Sequence, residues 1–305
     1  MTLETAWEIP DPVSADDVLM EDNSIITLRR HGYPEGQRLV LSHGNGLAID
    51  LYYPFWSLLA DDFDLIIYDL RNHGWNAVGT QNEHNVPSII SDQTRLLEGI
   101  DNHYGKKPKF GVFHSLSALT TLMSPGQGKE FVARILFDPP LCKPPHVTEE
   151  EFDAAAAYVA AMTRKRSARF QRPEDFAELL RYMPAFHRVM PGIFDLMAQT
   201  TLRKSSNGQD YELRCPREYE AQIIEYVRSF SVLVDLDTML CPTKIVGADP
   251  TLPYSYLPTI DLSHIMTVDY DFLPETTHFL PLEQPEECAK AVREFIDAVN
   301  RGEYS

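Results

Sequence analysis

A serine, a histidine and an aspartate that are far apart in the chain each lie just after a predicted β-strand. Ser115 follows the apolar run KPKFGVFH (107–114), Asp249 follows PTKIVGA (242–248), and His278 follows the last predicted strand. A serine hydroxyl becomes a nucleophile when an imidazole accepts its proton and a carboxylate orients that imidazole. These residue types therefore predict acyl transfer at a carbonyl carbon.

Ser115 lies where the strand pattern changes directly to a helix pattern, in FHSLSA (113–118). A sharp strand-to-helix turn exposes the serine but crowds its backbone, so small residues are expected two positions before and after it. Ser117 meets this requirement and Phe113 does not. Ser117 is the alternative nucleophile, but Leu119 at its plus-two position argues against it. We predict Ser115 as the nucleophile and expect Phe113 to shift the turn or narrow the acyl pocket.

A glycine-containing segment, HGNG (43–46), ends an earlier predicted strand. Glycines allow backbone amides to face inward, towards a negative charge that develops on the substrate. In this arrangement the N–H groups of Asn45 and of Leu116 are the predicted oxyanion donors, each worth about 3 kcal/mol. The alternative is an ordinary glycine-rich turn between a strand and a helix.

His278 is the last of the candidates in chain order, as expected when strand ends supply first the serine, then the acid and then the base. We predict Asp249 as the acid because it lies just beyond a core strand. Asp138, at the end of ARILFD (133–138), is the second choice, since Pro139-Pro140 indicates a structural turn. Weaker candidates, in helical, loop or mid-strand contexts, are Asp235, Asp237, Asp261 and Asp269.

Short β-branched or aromatic runs alternate with longer helical patterns along most of the chain, which predicts an α/β fold with a mostly parallel sheet. Strands are predicted at 25–29, 38–42, 63–68, 110–113, 133–137, 243–246 and 265–270. Helices are predicted at 51–59, 88–103 and 284–299. Several of these strands are apolar throughout, which is typical of strands covered on both faces.

The alternation stops after residue 145, and the chain reads as almost wholly helical until it returns to a strand at 243. We therefore predict a core made of residues 1–145 and 239–305, with a helical cap, 146–238, inserted above the edge of the sheet where ligands bind. A polar loop is predicted at 204–210.

The predicted cap contains apolar and aromatic side chains that can cover a pocket above Ser115. They are Tyr158, Met162, Phe170, Met183, Phe186, Met190, Phe194 and Met197. The predicted cap also carries the cations Arg181, Arg188 and Lys204. These side chains either bind a carboxylate of the substrate or are exposed to solvent.

Composition excludes several classes of protein. The 305 residues carry a formal net charge of −18, which repels nucleic-acid phosphates and anionic lipids alike. The four cysteines show no metal-ligand or disulfide spacing, so we expect reduced thiols and no metal. The acidic N-terminal segment predicts no signal peptide, and no apolar run is long enough to span a membrane. We predict a cytoplasmic protein with a small-molecule substrate; the sequence is also compatible with a homodimer.

Four segments in this order resemble the α/β-hydrolase superfamily, specifically its members with a helical cap between the sixth and seventh strands. FHSLSA is similar to that family's GHSMGG turn, HGNG to its oxyanion loop, DLRNHGWN (69–76) to the motif after the next strand, and HFLPLEQPEE (278–287) to its catalytic-histidine segment. The resemblance implies an eight-stranded sheet. It also implies structural roles for Asp69, Arg71 and His73.

By this resemblance, Ser115 is the nucleophile, Asp249 the acid and His278 the base, and the oxyanion donors are Asn45 and Leu116. His43 and His114 need no proton-transfer role. The predicted function is hydrolysis of a small, largely apolar carboxylic ester or related acyl bond through an acyl-enzyme, with no cofactor. The alternatives are cofactor-free non-hydrolytic chemistry, such as perhydrolysis or a lyase step, and a catalytically silent small-molecule-binding protein.

Overall fold

The computed structural model describes residues 7–142, 148–254, 256–258, 262 and 267–304. The strands in these residues are β1 (Ser14–Leu19), β2 (Ile25–Gly32), β3 (Gln37–Ser42), β4 (Phe63–Tyr68), β5 (Lys109–His114), β6 (Ala133–Phe137), β7 (Arg169–Phe170), β8 (Leu202–Lys204), β9 (Tyr211–Leu213), β10 (Thr243–Gly247) and β11 (Asp269–Phe272).

The α-helices are α1 (Tyr53–Trp56), α2 (Val86–Tyr104), α3 (Leu116–Leu122), α4 (Glu149–Lys165), α5 (Pro173–Arg181), α6 (Ile193–Thr201), α7 (Arg217–Ser231), α8 (Leu280–Glu283) and α9 (Pro285–Asn300). Short 3-10 helices cover Ile49–Tyr52, Ser57–Leu59, Pro184–Phe186 and Leu236–Thr238. Among the helices of the described residues, none is long and apolar enough to cross a lipid bilayer.

Eight strands form one sheet in the order β1-β2-β4-β3-β5-β6-β10-β11. β2 pairs antiparallel with β1 and β4, and the pairs from β4 through to β11 are parallel. Ser42 pairs with Phe113, and Phe137 pairs with both His114 and Val246. The carboxyl ends of β3, β5, β6 and β10 therefore lie side by side at one edge. The predicted α/β fold with an eight-stranded, mostly parallel sheet is confirmed.

Both faces of the sheet are covered, because successive side chains of a strand point to opposite faces. In β3, Leu39 and Leu41 belong to the core cluster that contains α9, whereas Val40 belongs to the cluster that contains α2 and α3. All three side chains are buried. This two-sided burial explains why the strands read as continuous apolar runs.

The chain between β6 and β10 forms a group of elements that packs on the sheet, which we call the insert (residues 149–238). Its helices α4 and α7 pack against each other, as do α5 and α6. It also contains a small sheet, β7-β9-β8, which the almost wholly helical prediction missed. Strands of two or three residues are too short to show a period-2 pattern. The predicted polar loop at 204–210 connects β8 to β9.

The first strand of the sheet was also not predicted. β1, with the sequence SADDVL, is an edge strand in which only Val18 is buried, so it carries almost no apolar signal. The last strand is Asp269–Phe272 instead of the predicted 265–270, and residues 265 and 266 lie outside the described residues. The other six predicted strands overlap observed ones.

Candidate active site

Ser115 lies in the turn between β5 and α3 with φ 52° and ψ −115°. A positive φ is strained for a residue with a side chain, and such strain persists only where surrounding contacts fix it. Here the Ser115 N–H donates to the Phe137 carbonyl over 3.0 Å. The Ser117 hydroxyl donates to the His114 carbonyl over 2.9 Å, which closes the turn from the helix side. The sharp turn expected at Ser115 is therefore present.

Phe113, the bulky residue two positions before Ser115, is accommodated in the core. Its side chain is 1% exposed and packs edge-to-face on Phe131, with ring centroids 5.8 Å apart. The ring covers Gly111, where an added Cβ would lie 2.7 Å from Phe113 Cε2. Gly111 therefore makes room for the Phe113 ring on the strand before the turn. The Phe113 ring does not narrow the pocket, contrary to our expectation.

His278 connects the serine to a carboxylate. Its Nε2 lies 2.9 Å from Ser115 Oγ, and its Nδ1 lies 2.6 Å from Asp138 Oδ2. A carboxylate accepts, so Nδ1 carries the proton and Nε2 is left to accept the serine hydroxyl. All three side chains are buried. The structure thus brings together Ser115 and His278, as the sequence suggests, but with Asp138 as the partner carboxylate.

The prediction that Asp249 contacts His278 is wrong. Asp249 Oδ1 accepts hydrogen bonds from Thr251 N–H at 2.9 Å and from Thr251 Oγ1 at 2.6 Å. Oδ2 accepts the Glu275 N–H at 2.9 Å. These bonds, chiefly the one from the Thr251 side chain, lower the pKa of Asp249. Asp249 therefore closes the turn after β10 and holds the loop that leads to His278.

Asp138 was the second choice in the sequence, and its geometry explains why the structure favours it. It follows β6 with φ 38°, and its N–H donates to the Val246 carbonyl over 2.9 Å. Its Oδ1 accepts the Ala248 N–H at 3.2 Å. The carboxylate is thereby fixed between two neighbouring strand ends, with Oδ2 directed at the imidazole.

A buried hydrogen-bond chain supports the backbone of His278. Gly44 N–H donates to the Tyr52 hydroxyl at 3.2 Å, and this hydroxyl donates to His114 Nδ1 at 2.6 Å. His114 Nε2–H in turn donates to the His278 carbonyl at 2.7 Å. Burial lowers the pKa of His114 well below its usual value, so the ring stays neutral with one donor and one acceptor. No motif in the sequence indicated a role for Tyr52.

The HGNG loop contacts the serine turn directly. A Cβ on Gly44 would lie 3.0 Å from His114 Nδ1 and 3.1 Å from Ser115 Cβ, which is tighter than most real Cβ contacts, so glycine favours this close approach. The amides on either side of Asn45 are occupied, since Gly44 donates to Tyr52 and Gly46 donates to His73 Nε2 at 2.9 Å. Leu116 is the first residue of α3, and the first amides of a helix have no intrahelical acceptor. The predicted donors therefore lie on the two segments that flank Ser115.

A cavity of about 570 Å³ opens above Ser115 and His278. Its walls come from the HGNG loop on one side and from α4, α5, α6 and α7 of the insert on the other. Of the side chains predicted to roof a pocket, those that line it are Tyr158, Met162, Met183, Phe186 and Met197. Phe170, by contrast, is buried in the core cluster. The cavity is mostly apolar.

The charged groups that line the cavity are not those that the sequence singled out. Arg166 and Glu220, both lining residues, form an ion pair beside the HGNG loop. Arg188 instead donates to the Glu275 carbonyl at 3.0 Å, and Arg181 lies over the Phe194 ring at 5.2 Å. Both of these cations are thus held outside the cavity wall.

A second aromatic residue of the site, besides Tyr52, was not predicted from the sequence. The Tyr256 ring stacks on the His278 imidazole, with centroids 5.0 Å apart and planes 21° apart. Tyr256 also lines the cavity, and burial raises the pKa of its hydroxyl. It lies in a loop after β10 that carries no periodic pattern, so nothing in the sequence indicated this contact.

The DLRNHGWN segment packs around the site without lining the cavity. Asp69 accepts from Arg29 at 2.8 Å and from the Ile49 N–H at 2.8 Å. Arg71 binds both oxygens of Asp92, each at 2.6 Å. His73 accepts the Gly46 N–H, as described above. These contacts agree with the structural roles predicted for Asp69, Arg71 and His73.

The fold and the arrangement around Ser115 define a class, the α/β hydrolases. A model described as the alpha/beta hydrolase family matches residues 39–291, and the chain therefore belongs to this family. Among curated proteins, the abhydrolase domain-containing protein ACTT2 of Alternaria alternata is 25% identical over 228 residues, which cover 63% of this chain and 84% of that protein. Its relative ACTT2-1 is 24% identical over the same span.

Solved structures with the same fold include E-2-(acetamidomethylene)succinate hydrolase, with TM-score 0.73 and 18% identity over 93% of this chain and 99% of that one. The thioesterase domain from the curacin biosynthetic pathway has TM-score 0.66 and 15% identity, covering 92% of this chain and 99% of that one. An esterase from Thermogutta terrifontis has TM-score 0.65 and 18% identity, covering 94% and 99%. At these identities the likeness concerns the fold, and the family supports a hydrolase.

Proposed function

We propose that the protein is a serine hydrolase that cleaves a small, largely apolar carboxylic ester, or a related acyl bond, through an acyl-enzyme. The observation that carries this proposal is the continuous chain from Ser115 Oγ through His278 to Asp138, with separations of 2.9 and 2.6 Å. The two ring nitrogens of His278 thus face the partners that the reaction requires: Nε2 faces the serine hydroxyl and Nδ1 faces the carboxylate.

In the proposed mechanism, Ser115 Oγ attacks the carbonyl carbon while His278 Nε2 accepts the hydroxyl proton. Asp138 stabilises the imidazolium that forms, and His278 then protonates the leaving group. A water molecule, deprotonated by the same nitrogen, attacks the acyl-enzyme and releases the acid. The reaction therefore proceeds in two steps, formation and hydrolysis of the acyl-enzyme, in place of one slow direct hydrolysis.

The negative charge on the carbonyl oxygen is stabilised, in this proposal, by the N–H groups of Asn45 and Leu116. Preorganised backbone donors of this kind contribute about 3 kcal/mol each to the transition state. Gly44 supports this placement, because it allows the HGNG loop to lie against Ser115. No cofactor takes part in these steps.

The apolar cavity supports an apolar acyl or alcohol group. The insert, acting as a cap, supplies most of its aliphatic and aromatic surface, including Met162, Phe176 and Leu180. A pocket of this kind gains binding free energy from apolar area and positions the ester with a few polar groups. Two of the charged groups on its wall, Arg166 and Glu220, form an ion pair with each other, and Lys165 also lies on the wall.

The proposal is tested with a fluorophosphonate probe and p-nitrophenyl esters of graded acyl length. We expect one probe molecule per chain on the wild type and none on Ser115→Ala. Ser117→Ala is the matched control, since that hydroxyl is bonded to the His114 carbonyl and is expected to leave labelling in place. Labelling of Ser115→Ala equal to that of the wild type would contradict the proposal.

The two alternatives give other outcomes in the same assays. A silent binding protein is expected to bind a small molecule without reacting with the probe. A perhydrolase or lyase is expected to react with the probe but to hydrolyse none of the esters. Turnover of at least one ester that depends on Ser115 therefore separates the proposed function from both.

A further inference from the structure

Different groups hold the His278 imidazole in the plane of its ring and against its face. In the plane, Nδ1 lies 2.6 Å from Asp138 Oδ2 and Nε2 lies 2.9 Å from Ser115 Oγ. On the face, the Tyr256 ring lies parallel to within 21°, with centroids 5.0 Å apart. The Phe279 ring instead meets the imidazole edge-to-face at 75°. Among the described residues, Tyr256 is therefore the aromatic residue that stacks on His278.

The hydrogen bonds alone do not hold this imidazole throughout the proposed reaction. Once Nε2 has accepted the Ser115 proton, its N–H must turn from Ser115 Oγ to the leaving group, so the bond to the serine is lost. The bond to Asp138 remains, but a single hydrogen bond allows the ring to tilt. A flat ring packed against the imidazole resists this tilt and still permits movement in the ring plane. Catalytic side chains need such packing to keep their geometry.

The stacked ring also favours the charged form of His278. An aromatic ring has a negative face, which attracts a cation within about 6 Å of the ring centroid. The separation of the Tyr256 and His278 centroids, 5.0 Å, lies within this range. In the proposed reaction His278 becomes an imidazolium when it accepts the serine proton. The attraction therefore stabilises the transition state more than the resting enzyme.

Tyr256 is itself held in place by other aromatic rings. Its ring packs on Phe279 with centroids 5.8 Å apart, and Phe279 packs on Phe186 of the insert with centroids 4.7 Å apart. Burial raises the pKa of the Tyr256 hydroxyl, so this hydroxyl stays neutral and does not act as a base. The part of Tyr256 that acts on His278 is therefore its ring.

We propose that Tyr256 is a positioning residue, whose ring holds the His278 imidazole in its reactive plane and stabilises the imidazolium by stacking. This inference rests on the proposed function, because the imidazolium forms in that reaction. It requires an aromatic ring at position 256 and does not require the hydroxyl. A residue that only lined the cavity would need no more than apolar bulk at this position, so substitutions can separate the two roles.

The kinetic test compares Tyr256→Phe, which keeps the ring, with Tyr256→Leu, which keeps apolar bulk without the ring. In Tyr256→Leu we expect kcat for a p-nitrophenyl ester to fall about tenfold or more, with KM changed by less than about threefold. In Tyr256→Phe we expect kcat within about threefold of the wild type. Tyr254→Leu is the matched control, since Tyr254 belongs to the same loop and is 54% exposed, and its turnover should match the wild type.

A second measurement follows the His278 imidazole without turnover. The Nδ1–H that is bonded to Asp138 is expected to give a far-downfield proton resonance in NMR spectra, assigned by its absence in His278→Ala. We expect this resonance in the wild type and in Tyr256→Phe. In Tyr256→Leu it should broaden or disappear, because a tilting ring exposes the proton to exchange with water. A tyrosine that served only the fold or the cavity wall would leave the resonance unchanged when replaced.

The proposal is overturned if kcat of Tyr256→Leu stays within about threefold of the wild type, whether or not KM changes. It is also overturned if Tyr256→Phe loses as much kcat as Tyr256→Leu, or if the resonance is equally sharp in Tyr256→Leu and the wild type. If Tyr256→Leu fails to fold, as judged by circular dichroism, Tyr256→Met takes its place. A wild type that turns over no ester contradicts the proposed function, and the NMR comparison then decides whether the ring holds His278.

Discussion

The ends of β6 and β10 lie side by side at the same edge of the sheet, and each is followed by an aspartate. Asp138 comes directly after β6, and its carboxylate contacts His278 at 2.6 Å. Asp249 comes just after β10, and its carboxylate is occupied by Thr251 and by the Glu275 N–H. Position beyond a core strand is therefore not enough to identify the acid. The two aspartates differ in their local partners, because Thr251 donates two hydrogen bonds to the carboxylate of Asp249.

The local sequence explains this difference. After Asp249, Thr251 supplies both an N–H and a hydroxyl to the carboxylate, which is the usual way in which an aspartate closes a turn on itself. After Asp138 the chain continues with Pro139 and Pro140, which have no N–H to donate. Neither proline can bond the Asp138 carboxylate through an N–H in the way that Thr251 bonds Asp249, and Asp138 Oδ2 contacts His278. In the sequence alone, the same prolines indicate a structural turn and so argue against Asp138.

The largest effect is expected for Asp138→Asn. An amide can present its NH₂ to His278 and so favour the wrong tautomer, and we expect kcat for a p-nitrophenyl ester to fall about 10⁴-fold. Circular dichroism checks that the fold is kept. The double variant with Asp249→Asn is expected to match the single variant. If turnover in Asp138→Asn stays within about tenfold of the wild type, Asp138 is not the acid that acts on His278.

A much smaller effect on turnover is expected for Asp249→Asn. This change weakens the bonds to Thr251 and Glu275 without touching His278, so kcat should fall by less than about tenfold. Its main effect is on the free energy of unfolding, measured as a lower urea midpoint with an unchanged slope. A loss of turnover as large as that of Asp138→Asn would return the acid role to Asp249.

The stability difference between the wild type and Asp249→Asn should depend on pH. The bonds from Thr251 and Glu275 lower the pKa of Asp249 in the folded state. The contribution of this group is thus fully present above its unfolded pKa of about 3.9 and is lost as the pH falls through the lower folded value. Urea midpoints measured between pH 7 and pH 3 should converge only at the acidic end. A constant difference would contradict this account.

The smallest effect is expected for Thr251→Val, which removes the Thr251 hydroxyl but keeps its N–H bond to Asp249. Turnover should remain within about twofold of the wild type. The urea midpoint should fall less than in Asp249→Asn, because the two backbone bonds remain. A larger fall than in Asp249→Asn would show that the hydroxyl has a role beyond closing this turn.

Much of the site could be predicted because its signals are local. The apolar run before Ser115, the glycines of HGNG and the order of the segments each follow from short stretches of sequence. His278 and Ser115 are 2.9 Å apart, as that order suggests. The insert was only partly predictable, since β7, β8 and β9 are too short to show a pattern.

The accommodation of Phe113 could not be predicted from the turn motif. Its ring packs over Gly111 in the core, and the sharp turn at Ser115 forms without a glycine at position 113. The contact of Tyr256 with His278 also could not be predicted from the sequence. Its stacking on His278 depends on the path of a loop that no periodicity describes.

Local sequence signals were enough to predict the α/β class, the sharp turn at Ser115 and the late histidine, because hydrophobic periodicity and glycine placement act over a few residues. Which carboxylate contacts the histidine depends on tertiary contacts. That choice depends on the register of β6 against β10 and on which backbone amides reach each aspartate. The contacts that place Asp138 join residues that are about a hundred positions or more apart, such as Ala248 and Asp138.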